Sequence, residues 1–195
     1  MLNIVLFGPP GAGKGTQSIK LIEKFNLTHI STGDLFRKHL KEGTELGKLA
    51  QSFMDEGNLV PDEVVIGMVD EKITESKLNG AKGFIFDGFP RTVTQAEALD
   101  ALLQKKGDQI DGMVSLEVPD EELKARIRER GKTSGRVDDQ DEEKINTRIK
   151  VYKAETLPVA NYYKTQEKLV SVHGVGPIEE IFGNICAEIE AFSAN

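Results

Sequence analysis

The chain has 195 residues, 38% of them hydrophobic and 29% charged, with a formal net charge of −7. That length suits one α/β domain with short excursions from it, and the acidic balance argues against a broad nucleic-acid surface. No apolar run approaches the ~20 residues of a membrane span, and no secretory leader is read. The single Cys186 excludes an intramolecular disulfide and a zinc site built on several cysteines. A cytoplasmic chain, with no membrane segment and no structural zinc, is the expectation.

Strand and helix signals alternate along the chain. Leu2–Phe7 is an apolar run read as a buried strand, and Lys14–Phe25 is a helix with Ile19, Leu21, Ile22 and Phe25 on its apolar side. A short strand over Thr28–Ser31 leads into helical stretches at 34–41 and 45–55. A further helix opens at Pro61 with Val64, Val65, Met68, Val69 and Ile73 at helical spacing. Strand 83–86, helix 95–104, strand 112–118 and helix 120–130 follow. A glycine-containing loop at 131–135 precedes a helix over 141–163 that Pro158 interrupts. The last strand is 168–172. The closing helix repeats Ile178, Ile181, Phe182, Ile185, Ile189 and Phe192 on one face, and Cys186 beside them reads as a small core residue. Five short buried strands separated by helices predict a parallel, doubly wound α/β sheet. Such sheets bind ligands beyond the carboxyl ends of their strands.

Three of those ends carry unusual residues. After the first strand, Gly8-Pro-Pro-Gly-Ala-Gly-Lys-Gly-Thr16 matches the phosphate-loop spacing from Gly8 to Lys14, with Gly15 next and the threonine one place later at Thr16. Glycines let successive backbone N–H groups face an anion, and the following helix begins with its positive end at the same place. After the second strand comes Ser31-Thr-Gly-Asp-Leu-Phe-Arg37, where Ser31 or Thr32 serves as a helix cap and Arg37 is left unexplained. After the third comes Asp87-Gly-Phe-Pro-Arg-Thr92, then Gln95. Asp87 ends a buried strand near the phosphates, where a hydrated Mg²⁺ would need an anionic partner. Farther along, Arg126, Arg128, Arg130, Arg136 and Arg148 surround the loop at 131–135, which suggests a mobile flap. Asp138, Asp139 and Asp141 either cap the next helix or pair with these arginines.

Together these strings, with Ser134-Gly-Arg-Val-Asp-Asp139, resemble the adenylate kinases in order and spacing across the whole chain. The resemblance implies a phosphate-loop kinase fold of the short-lid form. Its core would be 1–30, 61–129 and 141–195, its nucleotide-monophosphate flap 31–60 and its lid 130–140. It implies reversible transfer of the terminal phosphoryl of Mg-ATP to AMP, giving two ADP, by a monomer with Mg²⁺ carried on the ATP. By similarity, Gly11, Ala12, Gly13, Lys14, Gly15 and Thr16 hold the ATP phosphates, with Arg126, Arg130 and the backbone at Gly176 also on the ATP side. Thr32, Arg37, Asn58, Leu59, Val60, Gly88, Phe89, Pro90, Arg91 and Gln95 line the AMP site. Arg136 and Arg148 span both substrates. The catalytic set is Lys14, Arg91, Arg130, Arg136 and Arg148, and Asp87 meets the metal through water.

No general base is needed, because AMP is already mostly a dianion at neutral pH. His29, His39 and His173 are accordingly read as structural. Gln95 fits an adenine edge, since an amide donates and accepts at once. The rival readings are the same chemistry on UMP or CMP, and an ATP sensor that transfers nothing.

Overall fold

The computed structural model of the chain describes residues 1–194. Five strands, β1 (Leu2–Phe7), β2 (Thr28–Ser31), β3 (Gly83–Asp87), β4 (Gly112–Glu117) and β5 (Leu169–His173), form one sheet in the order β2-β3-β1-β4-β5. Every neighbouring pair is parallel. Successive strand residues face opposite ways, and the two faces are filled separately. Val5, Phe7, Phe84 and Phe86 join one apolar cluster with Val69, Leu99 and Tyr163, whereas Ile4, Leu6 and Ile85 join another with Leu21, Ile127, Ile185 and Cys186. Helices on both faces make this the doubly wound α/β sheet expected. Among the described residues, no helix is long and apolar enough to cross a membrane.

Helix starts follow local chemistry. In α1 (Lys14–Phe25), Gly13 stands at the N-cap; α2 (Thr32–Lys41) is capped by Ser31, whose side chain accepts from the Asp34 N–H. The hydroxyls of Thr44 and Thr92 cap α3 (Glu45–Met54) and α5 (Val93–Lys105), and the Asp141 carboxylate caps α7 (Glu142–Val151). Proline precedes α4 (Asp62–Leu78), α6 (Asp120–Gly131) and α9 (Ile178–Ser193), and each then opens with acidic residues that suit the positive helix end.

Two details were not read from the sequence. The helix over 141–163 is interrupted at Pro158 as expected, but the interruption is a π turn: Tyr152–Thr156 form it, and α8 starts at Pro158 and ends at Lys164. Proline lacks an N–H, and the Leu157 N–H reaches back five residues to the Tyr152 carbonyl at 2.7 Å. The loop region also contains a short 3₁₀ turn, Val137–Asp139.

Register brings the site together. Leu6 and Ser31 both pair with Asp87, and Phe7 pairs with Ser115, so the carboxyl ends of β1, β2 and β3 finish side by side. The chain winds one way from β1 toward β3 and β2, and the other way toward β4 and β5. The crevice therefore opens directly above β1.

Candidate active site

A cavity of about 680 Å³ occupies that crevice. Its floor is the loop of Gly8–Thr16. Gly11 sits at φ 82°, and a Cβ there would come within 2.8 Å of the Ile127 side chain, so only glycine lets the loop lie this close to α6. Lys14 curls over the loop and donates to the carbonyls of Gly8 and Pro9 at 2.9 and 3.1 Å. Burial lowers its pKa to about 8. Asp87 works against that shift, while the positive Arg91, Arg148 and Arg130 add to it.

Six guanidinium groups line the same cavity: Arg37, Arg91, Arg126, Arg130, Arg136 and Arg148. Most have partners. Arg126 donates to Glu122 at 2.8 Å and to the carbonyls of Ala12 and Gly174 at 3.4 and 3.0 Å. It thereby ties the phosphate loop to the segment after β5. Arg37 pairs with Asp34 at 2.5 Å. Arg130 and Arg148 share the buried Asp139, and Arg148 also meets Asp138 at 3.0 Å. The three aspartates divide the two roles read for them: Asp138 and Asp139 pair with arginines, and Asp141 caps α7.

Arg91 and Arg136 have no carboxylate within salt-bridge distance among the described residues. The Nε of Arg91 donates to the Gly88 carbonyl at 2.6 Å. Burial, joined by the charges of Arg148 and Arg37, lowers its pKa to about 10 against the pull of Asp87. Arg91 remains charged at neutral pH. Arg136 is lowered too, by burial first and then by Arg37 and Arg130.

Asp87 lies at the edge of β3 with His29 Nε2 at 3.5 Å. Burial would raise its pKa, but His29, Lys14 and Arg91 outweigh burial and keep it below the usual carboxylate value. No group of three or more histidine, cysteine or acidic residues able to hold a metal occurs among the described residues.

The sequence-derived residues fall into two sets. Gly11, Ala12, Gly13, Gly15, Thr16, Asn58, Leu59, Gly88, Phe89 and Pro90 line the cavity alongside Lys14, Asp87 and the arginines. Thr32, Val60, Gln95 and Gly176 do not. Thr32 is buried and donates to the Gly88 carbonyl at 2.8 Å. Val60 belongs to the apolar core, and Gly176 lies in the turn before α9. Gln95 is only 1% exposed, with its amide already engaged by Asp62 and by the Arg91 N–H. The cavity also includes Met54, Tyr152 and Thr156, which sequence reading missed. For Tyr152 and Thr156 the signal was the four-residue spacing from Arg148, which puts 148, 152 and 156 on one side of a helical segment; Met54 carried none.

A lysine curled over a glycine loop, with six arginines lining the same cavity at the switch point of a parallel sheet, defines a phosphate-loop phosphotransferase. The comparisons specify which kind. Residues 6–168 match the family model described as adenylate kinase. The chain is 56% identical over 181 residues to an adenylate kinase of Flavobacterium psychrophilum, covering 93% of this chain and 94% of that protein. It is 53% identical over 190 residues to one of Flavobacterium johnsoniae, with 97% and 99% covered. A third, from Stenotrophomonas maltophilia, is 47% identical over 190 residues, with 97% and 100% covered. The chain belongs to the adenylate kinase family. Its reaction is reversible phosphoryl transfer between ATP and AMP.

Proposed function

We propose that Lys14, Arg91, Arg130, Arg136 and Arg148 carry the phosphoryl transfer by holding two polyanions end to end in the one cavity. The observation that supports this most is the convergence of six arginines and Lys14 on a space that only three nearby carboxylates, Asp34, Asp87 and Asp138, also line. Transfer through a loose transition state needs in-line positioning and positive charge rather than covalent chemistry. Guanidinium forks meet phosphate oxygens in pairs. At ~4 Å and an effective dielectric of ~20, each ion pair contributes about 4 kcal/mol before desolvation is subtracted.

In this reading Gly11–Thr16, Arg126 and the backbone near Gly176 serve ATP. Thr32, Arg37, Asn58–Val60, Gly88–Arg91 and Gln95 serve AMP. Residues 31–60 and 130–140 move as flap and lid over a core made of the rest. Gln95 meets the base only when the wall over it shifts, which assigns that contact to flap motion. Mg²⁺ would arrive on ATP, with Asp87 as its one protein anion through water. A lone carboxylate beside a phosphate loop fits a cation held mainly by substrate phosphates and water. When bound, it supplies charge neutralisation on the phosphates. A monomer suffices, since one chain furnishes every cation of the cavity, and the unpaired buried thiol of Cys186 is in keeping with the reducing cytoplasm. The test is ADP formation from ATP plus AMP with and without Mg²⁺, using single alanine variants at Arg91, Arg136 and Arg148. Full turnover by all three variants would overturn the assignment.

A further inference from the structure

Beside the AMP half of the cavity lies a closed hydrogen-bond circuit whose members have fixed roles. Asp62, the first residue of α4, accepts at a single oxygen, Oδ1, from the Thr92 hydroxyl at 3.0 Å and from Gln95 Nε2 at 2.9 Å. Gln95 Oε1 accepts from the Arg91 backbone N–H at 2.7 Å, and Thr92 Oγ1 in turn accepts the Gln95 backbone N–H at 3.1 Å. An ionised carboxylate can only accept, and a backbone N–H can only donate. Neither partner can exchange its role, so the Gln95 amide has one orientation: nitrogen toward Asp62, oxygen toward Arg91. Turning it over would set oxygen against carboxylate and N–H against N–H, two buried mismatches at once.

The amide retains one N–H and one oxygen lone pair. Adenine offers a complementary pair, an N6 amino donor beside a ring acceptor, whereas a 6-oxopurine carries the O6 acceptor in place of that donor. An amide free to turn over would accommodate either base. One locked in place reads only the first.

We propose that Asp62 is a positioning residue that sets base selectivity: by fixing the orientation of the Gln95 amide, it makes the site accept adenine and reject 6-oxopurine monophosphates. This rests on the assignment of Gln95 to the AMP base. Asp62 itself need touch no substrate. It stands at the junction where residues 31–60 rejoin the core, and it also links that junction to the main chain of Arg91.

The experiment compares kcat/KM for AMP and for IMP, with ATP as donor, in the intact enzyme and in Asp62→Asn, Asp62→Ser and Gln95→Leu. Asparagine and serine each offer both a donor and an acceptor, so either removes one of the two mismatches that oppose turning the amide over, leaving only the one at the Arg91 N–H. In Asp62→Asn the AMP-over-IMP ratio is expected to fall by ~10-fold or more, as for loss of a selective hydrogen bond. IMP turnover should rise in absolute terms, which a merely structural defect would not produce. Should Asp62→Asn fail to fold, as judged by its melting curve, Asp62→Ser carries the same expectation. If Gln95→Leu loses selectivity while both Asp62 variants keep it, the positioning role is overturned and the base assignment stands. If Gln95→Leu keeps selectivity, the base assignment fails and the inference falls with it.

Discussion

Asp139 grips Arg130 with both carboxylate oxygens, Nε to Oδ2 at 2.6 Å and Nη2 to Oδ1 at 2.8 Å, while none of the Asp139 side chain is exposed. Oδ1 also accepts from Arg148 at 2.7 Å. One buried anion thus holds together an arginine of α6 and one of α7. Replacing Asp139 with alanine leaves two like charges facing each other. The expected loss is about 2–3 kcal/mol of stability, below the full buried-pair range because Arg130 is partly exposed. Turnover should fall ~10- to 100-fold under the proposed roles of both arginines. Chemical denaturation and steady-state kinetics check the two effects separately.

The same carboxylate carries a pH dependence. Burial would raise the Asp139 pKa, but bonding and charge from Arg130 and Arg148 prevail and hold it below normal. The native state therefore binds fewer protons than the unfolded chain as pH drops. The stabilisation is complete above the unfolded carboxylate value of ~3.9 and is lost as pH falls from there through the lower native value. Melting temperatures taken from about pH 6 down to about pH 3 should fall less steeply in Asp139→Asn than in the parent.

Lys14 behaves in the opposite sense. Its pKa drops to about 8 on folding, so between ~8 and ~10.4 the unfolded chain holds more protons and stability rises with pH. Below that window its charge opposes folding. Lys14→Met is therefore expected to keep or raise the melting temperature at neutral pH while turnover falls by ~10³ or more. Nucleotide phosphates favour the charged amine, so ATP binding near pH 8.5 should take up protons. Calorimetry in two buffers of different ionisation enthalpy measures that uptake, and a zero result would contradict the lowered value.

Arg136 has no carboxylate partner among the described residues, although it lines the cavity. Its removal should leave folding unchanged. Under the proposed assignment, Arg136→Ala lowers kcat by ~10²-fold or more and changes ATP affinity much less. Equal losses in both would count against a role for Arg136 in the transfer step itself.

Gly57 offers a steric test. It sits at φ 79°, and a Cβ there would approach Arg148 Cγ to 2.9 Å and the Lys144 carbonyl to 3.0 Å. Gly57→Ala is expected to lose roughly 1–2 kcal/mol of stability and to reduce kcat by displacing Arg148. Suppression of the kinetic defect by shortening residue 148 is not expected, since the proposed assignment requires the guanidinium itself.

Much of this architecture was legible in advance. The five strands announce themselves as short apolar runs, and the glycines, the lysine and the arginines are fixed by spacing. Other features depend on choices that local pattern does not encode. Strand order follows from where each crossover helix packs. Asp138, Asp139 and Asp141 lie too close in sequence to be told apart, yet one is wholly buried between arginines and another caps a helix. Gln95 reads as a free amide, but its partner Asp62 is thirty-three positions away. Tyr152 belongs to no sequence motif. It packs on Phe7, with ring centroids 5.7 Å apart, while also forming part of the cavity wall.

The π turn at Tyr152–Thr156 sets a rotational phase. It holds one residue more than an α turn, and each residue advances a helix by ~100° about its axis. Upstream, Arg148 must aim at the crevice. Downstream, Tyr163 must meet Asp100 across the other packing layer, which it does at 3.1 Å. Winding these same residues as a regular α-helix would advance the downstream part by ~100° and swing Tyr163 away from its target. The wide turn takes up the extra residue, so cavity wall and core share one length of helix.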